Sequence, residues 1–336
     1  MIKLEITHRK FATTLLLNSK FNIIVGDSGT GKTLLSKRVA ALAGSKEFFE
    51  SNGYKVFSEV GVLPSAMQEY FLTERGSVFI LDESSAFVRT NDGASTLLAS
   101  PNYFIITGRD NFNRLPYGIR SVFTLEGTPS RSRMVPVATE AQLARHSIRV
   151  SAGTTLFTEG YGLDYRLVKQ KFRSEVDVIS AGGKDKLQQL IQSGCYGKSV
   201  ALVDWCGTAG ATLFLFDRAC SGVVQTVFSP SFEYELLQFD DFASRLIGRQ
   251  VLDYPSEEAL YERAATDALL DIAGLTYSKS ADGPLAKLLS RGCVLVNGRT
   301  IRLKGIERLE WLYPELQLVT SQSCNSSLGV PRMTLE

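Results

Sequence analysis

The first seventeen residues alternate and then turn apolar: Ile2, Leu4 and Ile6 share one face, and Leu15, Leu16 and Leu17 run together. That pattern predicts a hairpin leading into a buried strand, Phe21-Val25. A glycine-rich loop follows, then a helical pattern over Lys32-Ala43 that Gly44 ends. Further on, Tyr54-Phe57 reads as a short strand. Leu63-Glu74 reads as a helix with Pro64 near its start, and Ser77-Leu81, Tyr103-Thr107 and Ser121-Leu125 read as apolar strands. Short apolar strands alternating with helices predict an α/β fold, a parallel sheet covered by helices on both faces.

The pattern breaks near residues 127–150. Gly127, Thr128, Pro129, Ser130 and Pro136 stand among Arg131 and Arg133, which reads as an exposed connection. Alternation then resumes. The expected elements are strand Thr154-Thr158, helix Asp164-Phe172, strand Val176-Ser180, helix Lys184-Ser193, strand Val200-Val203, helix Ala209-Cys220 and strand Val223-Phe228. This is a second, smaller Rossmann-like α/β unit. From Pro255 the pattern is helical to about Ile272, and Val294-Leu303 reads as a hairpin turning on Asn297-Gly298. The expected domains are therefore 1–130, a connection 131–150, the second α/β domain 151–250, a mainly helical region 251–318, and a polar tail 319–336.

Composition sets limits. With 336 residues, 44% hydrophobic and 21% charged, the chain has room for about two ordinary globular domains. A net charge of +2 argues against a whole-surface grip on nucleic acid and leaves a local basic patch open. The five cysteines form no C-x-x-C pair and there are two histidines, His8 and His146, so no zinc spacing appears. Free thiols in a reducing cytoplasm are the expectation. The N-terminal MIKLEITHRK does not read as a signal peptide, and no apolar run is long enough to span a membrane.

The chemistry concentrates in G-D-S-G-T-G-K-T: Gly26, Asp27, Ser28, Gly29, Thr30, Gly31, Lys32 and Thr33. It fits G-x-x-x-x-G-K-[ST] throughout. Glycines let backbone N–H groups converge on phosphate oxygens, and the following helix points its positive end at them. Lys32 is expected on the β and γ phosphates and Thr33 on Mg²⁺. About 50 residues on, Val78-Phe79-Ile80-Leu81 delivers Asp82 and Glu83 to a strand's C-terminal end, where open α/β sheets bind ligands. Asp82 is expected to help hold Mg²⁺, and Glu83 to polarise the attacking water. No N-K-x-D motif supports guanine, so the expected ligand is ATP with Mg²⁺.

These two elements resemble the Walker A and Walker B motifs of P-loop NTPases over roughly residues 15–125, in a compact AAA-like form. In AAA-like ATPases a polar residue at the tip of the strand beside Walker B senses the γ-phosphate. The resemblance places Thr107 there. Arg109, Arg114 and Arg120 follow as candidates for an arginine finger in cis or across a subunit interface, and a ring or dimer is typical of the family. No L-S-G-G-Q-like signature lies between the motifs, which removes the ABC heads.

The second unit places Glu159-Gly160 after one strand, Ala181-Gly182-Gly183-Lys184 after another and Asp204 at the end of a third. Two acids at strand ends can converge on one Mg²⁺, a tentative second metal site. The arrangement resembles a TOPRIM domain and is distantly similar to ATPase–TOPRIM proteins of the overcoming-lysogenisation-defect type. It departs from them at Asp204-Trp205-Cys206, where the second acid of Asp-x-Asp is lost, and in the spacing from Glu159 to Asp164. A Rossmann-like accessory domain whose strand-end acids are merely solvated stays open. The resemblance implies an ATPase whose nucleotide state controls a TOPRIM-like domain binding DNA or a partner protein, in phage defence or a mobile element. The alternatives are an ATP-regulated, metal-dependent nuclease and a non-enzymatic ATP-dependent scaffold.

Overall fold

A computed structural model describes residues 2–8, 11–27, 29–109, 112, 114–128, 130–172, 175–194, 197–204, 224–229, 232, 235, 293–296, 299–302, 309–310 and 312–319. The chain divides into two compact units, the first mainly Met1–Leu143 and the second mainly Ala144–Val203, with the later segments shared between them.

In the first unit, β1 (Ile2–His8) and β2 (Phe11–Leu17) form the expected hairpin, and β3 (Phe21–Val25) enters the glycine loop. Helix α1 (Lys32–Ala43) leaves it, followed by β4 (Phe48–Ser51), β5 (Tyr54–Ser58) and α2 (Pro64–Thr73). Strand β6 (Val78–Asp82), helices α3 (Ala86–Arg89) and α4 (Asn91–Ala99), β7 (Tyr103–Gly108), β8 (Val122–Thr128), β9 (Arg131–Pro136) and α5 (Glu140–Leu143) complete it. The sheet has nine strands in the order β1-β2-β9-β8-β3-β7-β6-β5-β4. Its middle, β8-β3-β7-β6-β5, is parallel, as the apolar runs predicted.

The margins correct the reading of a wholly parallel sheet. The β1–β2, β8–β9 and β4–β5 pairs are antiparallel, so the sheet is mixed. Arg131–Pro136 is a strand and not an exposed connection: it pairs with β8 on one side and β2 on the other. The reason is visible in its burial. Met134 is buried while Arg131 and Arg133 face solvent, so half the strand looks like a loop in sequence.

Alternation sorts the parallel core onto two faces. Phe79 and Leu81 join Phe21, Phe57, Phe71 and Phe104 on one side, where Met67 of α2 and Leu97 of α4 cover them. Val78 and Ile80 join Ile24, Ile105 and Phe123 on the other, under Leu35 and Val39 of α1. The first face is an aromatic cluster. Phe79 stacks on Phe57 at 4.7 Å between centroids and meets Phe71 edge-on at 4.8 Å. This core fixes where β6 and β7 end, and hence where Asp82 and Thr107 sit.

In the second unit the described strands are β10 (Ile148–Val150), β11 (Thr155–Thr158), β12 (Asp177–Ser180), β13 (Ser199–Asp204) and β14 (Gln225–Ser229), with helices α6 (Leu163–Phe172) and α7 (Lys184–Gln192). Four strands form a sheet in the order β12-β11-β13-β14, with β11 parallel to both β12 and β13. Of the region read as mainly helical, the described strands are the hairpin β15 (Cys293–Val296) with β16 (Arg299–Arg302), and β17 (Leu316–Leu318), which pairs parallel with β10. The helices read at 209–220 and 256–272, the Asn297-Gly298 turn and the tail beyond Val319 lie outside the described residues.

Candidate functional site

The glycine loop joins the end of β3 to α1. Gly31 is the N-cap at φ 92°, a left-handed conformation that a Cβ would strain, and no side chain caps the helix. The first amides of α1 are thereby left for an anion. Gly26 and Gly29 also have positive φ, at 151° and 90°. Ser28 lies outside the described residues.

Lys32 folds back on its own backbone. Its ammonium donates to the carbonyls of Gly26 and Asp27, the latter at 2.9 Å, and to Thr30 Oγ1 at 3.1 Å. These are the contacts a phosphate would replace. Burial lowers the Lys32 pKa. The charges of Glu83, Asp27 and Asp82 push it back up, and Arg109 adds to the lowering. Phosphate oxygens would restore the favourable surroundings of the charged form.

Asp82 and Thr107 are direct register partners on β6 and β7, and Ile24 of β3 lies opposite Thr107 on its other side. The three strands therefore end in one row. Thr107 Oγ1 stands 3.5 Å from Asp82 Oδ2 and 3.4 Å from the Leu81 carbonyl. Asp82 Oδ1 accepts from the Ser84 hydroxyl at 2.8 Å. Glu83, one residue further, accepts from the Arg109 backbone N–H at 2.6 Å, with the Arg109 guanidinium 3.9 Å away. The structure thus brings Lys32, Asp82, Glu83 and Thr107 to the edge where the glycine loop opens.

Of the three arginines, Arg109 is the one placed against Glu83. Arg114 bonds Asn91 at 3.0 Å, and Arg120 pairs with Glu140 at 2.8 Å. A Cβ at Gly108 would lie 2.4 Å from the Phe112 ring and 3.2 Å from Glu83 Cβ, so the ring would have to move to admit one. Thr33, exposed at the start of α1, and Asp82 offer oxygen donors of the kind Mg²⁺ takes, so the residues present fit that ion.

One residue at this edge escaped the sequence reading. Glu59 follows β5, and its carboxylate accepts the Asp82 backbone N–H. Burial raises its pKa, and the Asp82 charge pushes it the same way, against the lowering from the hydrogen bond. No motif marks Glu59; only the pairing of β5 with β6 brings it here.

In the second unit, Glu159 and Gly160 follow β11, and Asp204 ends β13 at the same sheet edge. Glu159 Oε1 is 4.0 Å from Lys184 Nζ. Asp164 Oδ2 accepts the Gly160 N–H at 2.9 Å and so braces the Glu-Gly turn. Gly182 and Gly183 take φ of 77° and 127° before α7. Among the described residues no three His, Cys, Asp or Glu side chains gather as a metal site. Trp205 and Cys206 fall outside them.

Comparison with known proteins bears on the first unit. Residues 22–104 match the family model described as "ATPase family associated with various cellular activities (AAA)". The match runs from β3 through the glycine loop and Asp82-Glu83 into β7. It supports a P-loop NTPase domain that binds ATP, in agreement with the mixed, largely parallel sheet. No curated protein and no solved structure matches the chain significantly.

Proposed function

We propose that the chain hydrolyses ATP at the edge where β3, β6 and β7 end. The observation that carries the reading is the row of Asp82 and Thr107, with Glu83 one residue on, at the edge where the glycine loop leads into the uncapped helix that Lys32 begins. The amides of Gly29–Lys32 would cradle the phosphates, and Lys32 would exchange its loop carbonyls for β- and γ-phosphate oxygens. Thr33 and Asp82 would hold Mg²⁺, which supplies charge neutralisation on those oxygens. Glu83 would orient a water for in-line attack and accept its proton. To do so its carboxylate must leave the Arg109 N–H that it occupies here. Thr107, between Asp82 and the β3 strand, would register whether the γ-phosphate is present.

In this proposal the nucleotide state of the first unit governs the second, TOPRIM-like one, whose role is binding DNA or a partner protein. The Glu159-Gly160 turn, the Ala181-Lys184 loop and the β12-β11-β13 parallel order support that likeness. The Glu159–Lys184 ion pair and the single acid at Asp204 weigh against the nuclease alternative.

The test is ATP turnover by the full chain and by Lys32→Ala with Mg²⁺ present. Loss of turnover in the variant is expected; equal rates would sink the reading.

A further inference from the structure

Strand β5 stops at Ser58, while its parallel neighbour β6 runs on to Asp82. Their register ends where Ser58 pairs with Ile80, and the Glu59 N–H still donates to the Ile80 carbonyl at 3.2 Å. Alternate residues of a strand turn their backbone groups to the same neighbour. The Asp82 N–H, two residues beyond Ile80, therefore faces the β5 side, where a continued strand would meet it with the Glu59 carbonyl. The chain turns away instead. Gly61 takes φ 83°, and the Glu59 carbonyl accepts the Val62 N–H at 3.2 Å. The Glu59 side chain closes the gap, its carboxylate accepting the Asp82 N–H. A side chain has taken over one rung of the ladder, so the backbone donor keeps a partner.

The rung falls where it bears on chemistry. On the β7 side Asp82 keeps regular register with Thr107. Beyond Asp82 the backbone turns at once: its carbonyl accepts the Ser85 N–H at 3.0 Å, and its Oδ1 accepts the Ser84 N–H at 3.1 Å. Asp82 is thus the joint between strand and turn. A bond on its N–H fixes the direction in which its side chain leaves the sheet.

The end of β5 is itself anchored. The buried Ser58 hydroxyl donates to the Ser36 carbonyl of α1 at 2.9 Å. That helix begins with Lys32 and Thr33. One chain of bonds therefore joins the phosphate-loop helix, the end of β5 and the Asp82 amide. It ties together the elements that carry Thr33 and Asp82, the two proposed Mg²⁺ donors.

We propose that Glu59 is a positioning residue of the Mg–nucleotide site: through the Asp82 amide it sets the Asp82 carboxylate for the ion. The proposal rests on the ATP-binding reading above and on the Mg²⁺ role given there to Asp82. Glu59 touches neither ion nor substrate in this role. What the role requires is an acceptor oxygen at the reach of a glutamate side chain, not a negative charge.

The test titrates a nonhydrolysable ATP analogue into the full chain by calorimetry, once with excess Mg²⁺ and once with EDTA. The ratio of the two affinities is the contribution of the ion, and no turnover enters it. Glu59→Gln keeps the acceptor and loses the charge. Glu59→Asp keeps the charge and falls one methylene short. Glu59→Asp should lose about tenfold of the Mg²⁺-dependent gain, the size of a lost bond behind a metal ligand, with its EDTA affinity as in wild type. Glu59→Gln, whose neutral acceptor makes a weaker bond of the same geometry, should stay within about threefold of wild type in both conditions. A Mg²⁺-dependent loss in Glu59→Gln that equals or exceeds the one in Glu59→Asp overturns the proposal. So does an unchanged Glu59→Asp, or an equal loss with Mg²⁺ and with EDTA, which marks a purely structural role. Wild-type binding that Mg²⁺ does not alter overturns the role of Glu59 and leaves nucleotide binding by the loop standing. Failure of wild type to bind in either condition overturns both.

Discussion

Replacing Glu83 by Gln isolates the proposed base from everything else that Glu83 does. In the structure one carboxylate oxygen accepts the Arg109 N–H at 2.6 Å, and an amide oxygen can accept the same bond. What the amide loses is the Arg109 ion pair, at 3.9 Å and with side chains 61% and 29% exposed. A pair of that exposure contributes roughly 0–1 kcal/mol. The variant should therefore melt within a few degrees of wild type. Turnover is another matter, because an amide cannot take a proton from water. Loss of a general base lowers rate by about 10²- to 10⁴-fold, or roughly 2.7–5.5 kcal/mol of barrier. ATP binding, set by the loop, should be kept. The assay is steady-state phosphate release at saturating Mg–ATP, with ATP affinity and thermal melting measured on the same preparation. Turnover within threefold of wild type would refute the base assignment. Loss of binding together with turnover would mean that Glu83 shapes the loop instead.

Three further expectations concern the scaffold that aims the site. Gly93→Ala would place a Cβ 2.4 Å from Phe87 Cα and 2.5 Å from the Ala86 carbonyl; it should destabilise by about 1–3 kcal/mol in urea unfolding, despite alanine's helix propensity, and unchanged stability would contradict the packing of α3 on α4. Asn102→Ala removes an amide that donates to the Phe71 and Glu74 carbonyls at 3.1 and 2.9 Å and accepts from the Ser77 N–H at 3.0 Å. The Phe71 carbonyl keeps the Ser100 hydroxyl, but the Ser77 N–H and the Glu74 carbonyl lose this partner, which should cost about 1–3 kcal/mol by the same assay. Burial lowers the pKa of Lys20 to about 8, so between pH 8 and 10 the folded chain holds fewer protons there than the unfolded one. Stability from this group should rise with pH across that window, and urea unfolding of Lys20→Met should lack its share of the slope.

The phosphate loop was legible because its chemistry is contiguous. Eight neighbouring residues carry the glycines, the lysine and the threonine, and the strand before and helix after are set by local apolar pattern. Asp82-Glu83 was legible for a related reason, since four buried apolar residues announce a strand and the acids end it. Glu59 was not, because its importance comes from the backbone of Asp82, on a different strand. Strand β9 was missed because Arg131 and Arg133 lie on its exposed face, and its partners β2 and β8 are named only by pairing. Arg109 was one of three equivalent arginines in sequence; packing placed it against Glu83.

The sequence by itself determined the local devices: a loop able to bind phosphate, a helix whose first turn lacks a side-chain cap, and strands whose alternation assigns each residue to a face. These follow from φ preferences and hydrophobic periodicity, which act over a few residues. Only the tertiary structure decided the order β8-β3-β7-β6-β5, because strand order is a choice among non-local pairings with similar local cost. That order sets β7 and then β6 beside β3, so Thr107 and Asp82 end level with each other at the edge where the glycine loop opens.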